Sequence, residues 1–270
     1  MLLRWERRRR VRGNYSGVWL TALEELPFVQ DLTTAQLRRL VHLAQEFEER
    51  VRWEGSGRWR PDAVARAMIS LEACRLVLHL GLERYARLRV VRVVPTSWPH
   101  ATSAGRTMRA GEADQREVKI AWDVALQSVQ RPTDGYSIVY HEFAHVLDHH
   151  DGHFDGMPVL RDHRDRLGWL RTFGRGLSKL RRILSRREPS VLREYGQSDE
   201  VEFFAVCTES FFERPRELRS RHPEIYSALE RFYHQDPAGR GRRRSRKARR
   251  KARVSMRPSL DARRRTSTSG

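Results

Sequence analysis

No apolar stretch in this sequence approaches the roughly 20 residues needed to cross a bilayer. The N-terminus reads MLLRWERRRR, and its arginines leave no apolar core for a secretory leader. Cysteine is scarce: Cys74 and Cys207 are the two present, both in apolar, helix-like surroundings. That setting suits buried free thiols better than a disulfide framework. A reducing, cytoplasmic location is therefore expected. No internal repeat is evident.

Positive charge is abundant and unevenly placed. The 270 residues carry 53 Lys or Arg against 34 Asp or Glu, a net charge of +19. Residues 238–270 hold fourteen Lys or Arg and a single Asp, and residues 1–12 hold six Arg and a single Glu. The body between them is nearly neutral, so the basic character belongs to the two ends. The tail lacks apolar periodicity and is expected to be disordered. It could contact nucleic acid or an anionic surface by counterion release, without sequence readout.

The body alternates helical and strand patterns. Thr33 and Gln36 form a capping-box signal, and Leu37, Leu40, Val41, Ala44 and Phe47 then share one helical face. Pro61 suits the first turn of a second helix, which carries Val64, Met68, Leu71, Cys74 and Leu78 and stops at Gly81. RVVRVV (89–94) and EVKIAW (117–122) read as strands, and the polar stretch 99–116 between them as a loop. Arg131-Pro132-Thr133-Asp134-Gly135 is a turn, followed by a helix from about Tyr136 to about His150. Further helices are predicted over roughly 160–187, 199–213 and 222–235. Many helices and few strands imply an α+β domain with a small sheet.

The chemistry is concentrated in HExxH, His141-Glu142-Phe143-Ala144-His145. Residues four apart on a helix differ by about 40° in direction and about 6 Å along the axis. Two imidazoles at that spacing can grip one ion with bonds of about 2.0–2.1 Å. Glu142 is rotated by about 100° from His141. Its carboxylate can therefore reach a water on that ion rather than the ion itself, which suits a general base. No proline or glycine interrupts the helix. A catalytic zinc needs a third ligand and an open position. His149 lies about 12 Å along the helix from His141 and cannot join both histidines on a straight helix. His150 and His153 could bend back, but nothing in their spacing requires it. A carboxylate from SDEVEFFAVCTESFFE is the better candidate, and spacing leaves Glu200, Glu202 and Glu209 open.

HEFAHVLD and REYGQSDEVEFFAVCTESFFERP resemble the Mlc titration factor A family of zinc peptidases, whose catalytic core is related to that of anthrax lethal factor. ACRLVLHLGLERYARLRVVRVVP and RFYHQDP share the likeness, so it covers about residues 15–237 and leaves out both arginine-rich ends. The resemblance implies a zincin-like, mostly helical metallopeptidase domain with a small sheet beside the HExxH helix. Its helical N-terminal part would run to about residue 88 and its catalytic part from about 89, flanked by a basic arm (1–14) and a tail (238–270). The resemblance also implies one Zn2+ held by His141, His145 and Glu202, with Glu142 as catalytic base. Tyr195, seven residues before Glu202, matches the family tyrosine that stabilises the transition state. Glu209, two turns beyond Glu202, and Asp148, one turn after His145, could each orient a ligand histidine or form a surface ion pair. The implied partners are a peptide or protein substrate and, since one family member is named for binding a transcriptional repressor, such a repressor. The sequence departs from the family around Gly196-Gln197 and Glu200-Val201, without loss of a functional group, and residues 151–190 are unusually basic.

Overall fold

A computed structural model describes residues 15, 17–102 and 105–239. The tail expected from residue 238 begins later, since Ala238 is buried and its N–H donates to Tyr226 Oη at 3.0 Å; the basic arm up to residue 14 and the tail from 240 onward, with the disorder and polyanion contacts expected of it, lie outside the described residues. Helix α1 (Gly17–Glu25) leads into α2 (Thr34–Arg50). The start of α2 is fixed by the expected reciprocal cap: Gln36 N donates to Thr33 Oγ1 at 3.2 Å, and Thr33 N donates to Gln36 Oε1 at 3.0 Å. Two of the N–H groups that a helix start leaves free are thereby satisfied. Helix α3 (Ala63–Leu76) is capped by Asp62, which accepts from Ala65 N, and is buried along nearly its whole length.

Strands β1 (Arg52–Glu54), β2 (Val90–Val94) and β6 (Glu117–Ala121) run parallel, and the short β5 (Gly111–Ala113) closes the sheet antiparallel to β6. The sheet order is β1-β2-β6-β5. Val91 pairs with Val118 and Val93 with Ile120, all fully buried, which is why these runs are β-branched. The stretch expected to be a loop is different. It forms a hairpin, β3 (Trp98–Thr102) and β4 (Gly105–Arg109), followed by β5. Exposed residues such as Met108 and Glu112 occupy these strands, so ladder hydrogen bonds rather than apolar alternation mark them.

The remaining helices are α4 (Trp122–Gln130), α5 (Ile138–Asp148), α6 (His163–Ser185), α7 (Glu200–Glu213), α8 (Pro215–Arg221) and α9 (Pro223–Tyr233). Every residue of α5 is buried. It packs against α3 and α7 and against strands β5 and β6. Phe143 meets the rings of Phe47 and Tyr85 at 5.7 and 5.3 Å, and Tyr140 meets Phe212 at 5.3 Å. These contacts hold α5 from its apolar sides and leave one polar side, His141 and His145, facing a cavity. The class is α+β, mostly helical with a small mixed sheet, as the sequence implied. Cys74 and Cys207 are buried free thiols. No described helix is long and apolar enough to cross a membrane.

Candidate metal centre

Helix α5 begins at Ser137, whose hydroxyl accepts from Tyr140 N at 3.2 Å. One turn later His141 and His145 project side by side, their rings 4.7 Å apart and perpendicular. Helix α7 brings Glu202 to them. Asp199 caps α7 by accepting from Glu202 N at 2.8 Å, which fixes where Glu202 leaves the helix. Glu202 Oε2 lies 3.0 Å from His141 Nε2 and 3.6 Å from His145 Nε2. One donor atom from each residue falls within 4.8 Å of the others.

These residues fit a metal ion. Ligand atoms around a tetrahedral zinc with bonds of about 2.0–2.1 Å stand about 3.3–3.4 Å apart, a value bracketed by the two carboxylate–imidazole separations. Glu202 Oε2 is also buried without a well-directed hydrogen bond, which is costly unless another partner takes its lone pairs. Two imidazoles and a carboxylate are an ordinary donor set for zinc, with room for a water.

Glu209 organises the other side of His141. It is fully buried, and its Oε1 accepts from His141 Nδ1 at 2.7 Å. That bond turns Nε2 toward Glu202. Its Oε2 accepts from Ser137 N at 3.0 Å, and Arg193 Nη1 donates to both oxygens at 3.1 and 2.8 Å. Arg193 in turn lies over the Tyr136 ring at 4.2 Å. One carboxylate thus ties together a histidine, the start of its helix and a guanidinium. Asp148, buried at the end of α5, has a different partner: its Oδ2 accepts from Gly156 N at 3.0 Å and holds the following loop. His149 is not drawn into the cluster; its ring rests against Phe154 at 4.1 Å. Glu200 is exposed.

Burial opposes protonation of His141, yet its contacts with the Glu202 and Glu209 carboxylates outweigh that and raise it to about 10. The same histidines hold Glu202 well below the usual carboxylate range, against the upward push of burial. Burial lowers His145. Burial also pushes the Glu142 carboxyl up to about 8, against the pull of His141. Glu142 turns toward the sheet edge, where Gly111 leaves room for it: a Cβ at residue 111 would strike the Glu142 carboxylate. Tyr195 sits half exposed with its ring 5.8 Å from that of His141, and its hydroxyl donates to Glu202 Oε1 at 3.1 Å. Burial and the Glu202 charge raise it to about 12, so it keeps its proton at neutral pH. All five residues, His141, Glu142, His145, Tyr195 and Glu202, line one cavity of about 580 Å³.

A family model described as glucose-regulated metallo-peptidase M90 matches residues 2–234. The chain belongs to the M90 metallo-peptidase family. An uncharacterized protein of Synechocystis is 32% identical over 225 residues, covering 79% of this chain and 82% of its own. The Mlc titration factor A of Salmonella agona is 26% identical over 253 residues, covering 88% of this chain and 94% of its own. That of Salmonella arizonae is equally similar, and the match covers 99% of its length. The M90 chain therefore unites a metallo-peptidase family with a His-His-Glu cluster able to hold a metal.

Sequence reasoning missed Ser137, Arg193, Gly111 and Phe154. Ser137 was detectable as a helix-start residue before an apolar run. Arg193 and Gly111 act through tertiary contacts 16 and 31 residues away in the chain, for which no local pattern exists.

Proposed function

We propose that this chain is a zinc-dependent peptidase, with residues 15–237 as its catalytic domain. The observation that carries the reading is the convergence of His141 Nε2, His145 Nε2 and Glu202 Oε2 beside Glu142, in a chain of a metallo-peptidase family. A zinc ion held by these three side chains would polarise the substrate carbonyl and bring the pKa of water at the site toward about 7. Glu142 takes a proton from that water as its oxygen adds to the carbonyl carbon. As the C–N bond breaks, Glu142 passes the proton to the leaving amine. The Tyr195 hydroxyl turns from Glu202 to the developing oxyanion and donates to it. Glu209 holds His141 in the ligating orientation.

The test compares wild type with Glu142→Gln and Glu202→Ala. Glu142→Gln keeps its zinc and loses nearly all peptide hydrolysis, and Glu202→Ala loses metal whereas His149→Ala does not. Retained turnover in Glu142→Gln refutes the base assignment, and metal loss on His149→Ala moves the third ligand to the loop after α5.

The relatives named for titrating Mlc support a second reading, in which this chain binds a transcriptional repressor. Such binding survives Glu142→Gln, which separates the two. The site of action we propose is the cytoplasm. The basic tail would add non-specific contact with nucleic acid or an anionic surface. Deleting 240–270, which spares the buried Ala238, would then abolish salt-dependent polyanion binding and leave peptidase activity intact.

A further inference from the structure

Large apolar side chains in a folded domain are mostly covered, and an exposed group of them gathered at one place marks a binding surface. Among the described residues, Met108, Phe154, Leu167, Leu170 and Tyr195 remain exposed. Met108, Phe154 and Tyr195 line the same cavity as His141, Glu142, His145 and Glu202. They come from β4, from the loop after α5 and from the segment before α7, so three separate parts of the chain deliver apolar surface to one mouth.

The exposure of Phe154 is a held position. Its loop is fastened at Gly156, whose N–H donates to Asp148 Oδ2 at 3.0 Å and whose carbonyl accepts from Trp169 Nε1 at 3.0 Å. Gly156 has a left-handed φ of 76° and lies against the Glu200 backbone, where a Cβ would collide. With the loop fixed there, the Phe154 ring stands edge-on to His145 at 5.4 Å and to His149 at 4.1 Å, and 45% of the residue stays open to solvent. Among the described residues, the two arginines of the cavity wall already have carboxylate partners: Arg109 pairs with Glu112 at 3.3 Å and Arg193 with Glu209 at 2.8 Å. An acidic substrate side chain would have to compete with those pairs, whereas an apolar side chain gains contact with surface that is otherwise wet.

We infer that Met108 and Phe154 determine specificity, so that the enzyme selects peptides carrying a bulky apolar side chain next to the bond it cuts. This rests on the peptidase reading above and adds the substrate class to it. The test uses the zinc-loaded full chain and quenched fluorescent peptides that differ at single positions (Leu, Phe, Met, Gly, Asp or Lys). At one position flanking the cleaved bond, the wild type shows kcat/KM at least about tenfold higher for Leu, Phe or Met than for Gly or Asp. Met108→Ala and Phe154→Ala each remove most of that advantage by raising KM for the Leu, Phe and Met peptides toward that for the glycine peptide; Phe154→Leu restores much of it. As a readout without turnover, Glu142→Gln enzyme loaded with zinc binds the leucine peptide about tenfold more tightly than the same enzyme carrying Phe154→Ala. Cleavage indifferent to the side chain, or a preference that survives in the Met108→Ala/Phe154→Ala double variant, overturns this inference alone. Failure to cleave any peptide overturns the peptidase reading and this inference with it.

Discussion

Replacing Glu209 with glutamine separates a carboxylate that orients a ligand from one that merely fills space. The substitution keeps the side chain's shape and removes its charge. In the native site the two oxygens accept from His141 Nδ1, Ser137 N and Arg193 Nη1. Glutamine has one oxygen and one amide nitrogen. It cannot accept at both ends, so either the His141 contact or the Ser137 contact is lost, and Arg193 loses its counter-charge. Loss of a partner that orients a metal-ligating histidine costs about 10–100-fold in metal affinity, or about 1.4–2.7 kcal/mol. Breaking a buried ion pair costs about 3–5 kcal/mol in stability. The Arg193 side chain is 32% exposed, so water recovers part of that and places the loss near the lower end, about 3 kcal/mol. Zinc competition against a chromophoric chelator at fixed pH measures the first quantity, and urea unfolding in excess chelator measures the second. Asp148→Asn is the control, because the Asp148 carboxylate meets the Gly156 amide rather than a ligand histidine. Zinc affinity in Asp148→Asn stays within about threefold of wild type. Glu209→Gln binding zinc as tightly as wild type, or Asp148→Asn losing as much as Glu209→Gln, would refute this division of roles.

Other outcomes follow from the same geometry. Tyr195→Phe removes a hydroxyl that keeps its proton at neutral pH and lowers kcat on the order of 10² with little change in KM; an unchanged kcat makes Tyr195 a packing residue. Gly111→Ala places a methyl where the Glu142 carboxylate lies; hydrolysis falls on the order of 10² while zinc content stays at wild-type level, and full activity would show that Glu142 has room to spare. In the metal-free protein His141 is raised from 6.5 to about 10, so its proton contributes stability that is fully present below pH 6.5 and is lost as pH rises through about 10. Zinc must displace that proton. Its affinity therefore strengthens by up to about tenfold per pH unit below pH 10, measured by chelator competition, and an affinity flat in that range would show that His141 is already neutral.

Helices α2, α3, α5, α6, α7 and α9 and the two main parallel strands were legible in the sequence because they are amphipathic or apolar, whereas the short α1, α4, α8 and β1 were not read, and Trp122, expected to end a strand, instead opens α4. The cap at Thr33 and the run RVVRVV each state a local structure in residue types alone. The β3–β4 hairpin and β5 were not legible, since their residues are chosen for a cavity wall rather than for a core. Met108 is exposed, Arg109 pairs with Glu112, and Gly111 makes space for Glu142. Residues that serve a site in this way carry no period.

The carboxylates of α7 show where local reasoning stops and tertiary geometry takes over. Glu200 and Glu202 lie about 200° apart around a helix, whereas Glu202 and Glu209 are seven residues apart and return to the same side within about 20°. Spacing alone thus sets Glu200 on another face from the other two without telling which face meets the histidines, and it leaves Glu202 and Glu209 equivalent. Their difference lies about 10 Å along the axis, in which nitrogen of His141 each one meets: Nε2 for Glu202 and Nδ1 for Glu209. That assignment depends on the crossing of α7 over α5, held by buried side chains such as Phe212 against Tyr140. It also explains why two acids on one helical face can coexist beside Glu142. One meets both histidines at the place where a cation would sit, and the other is neutralised by Arg193.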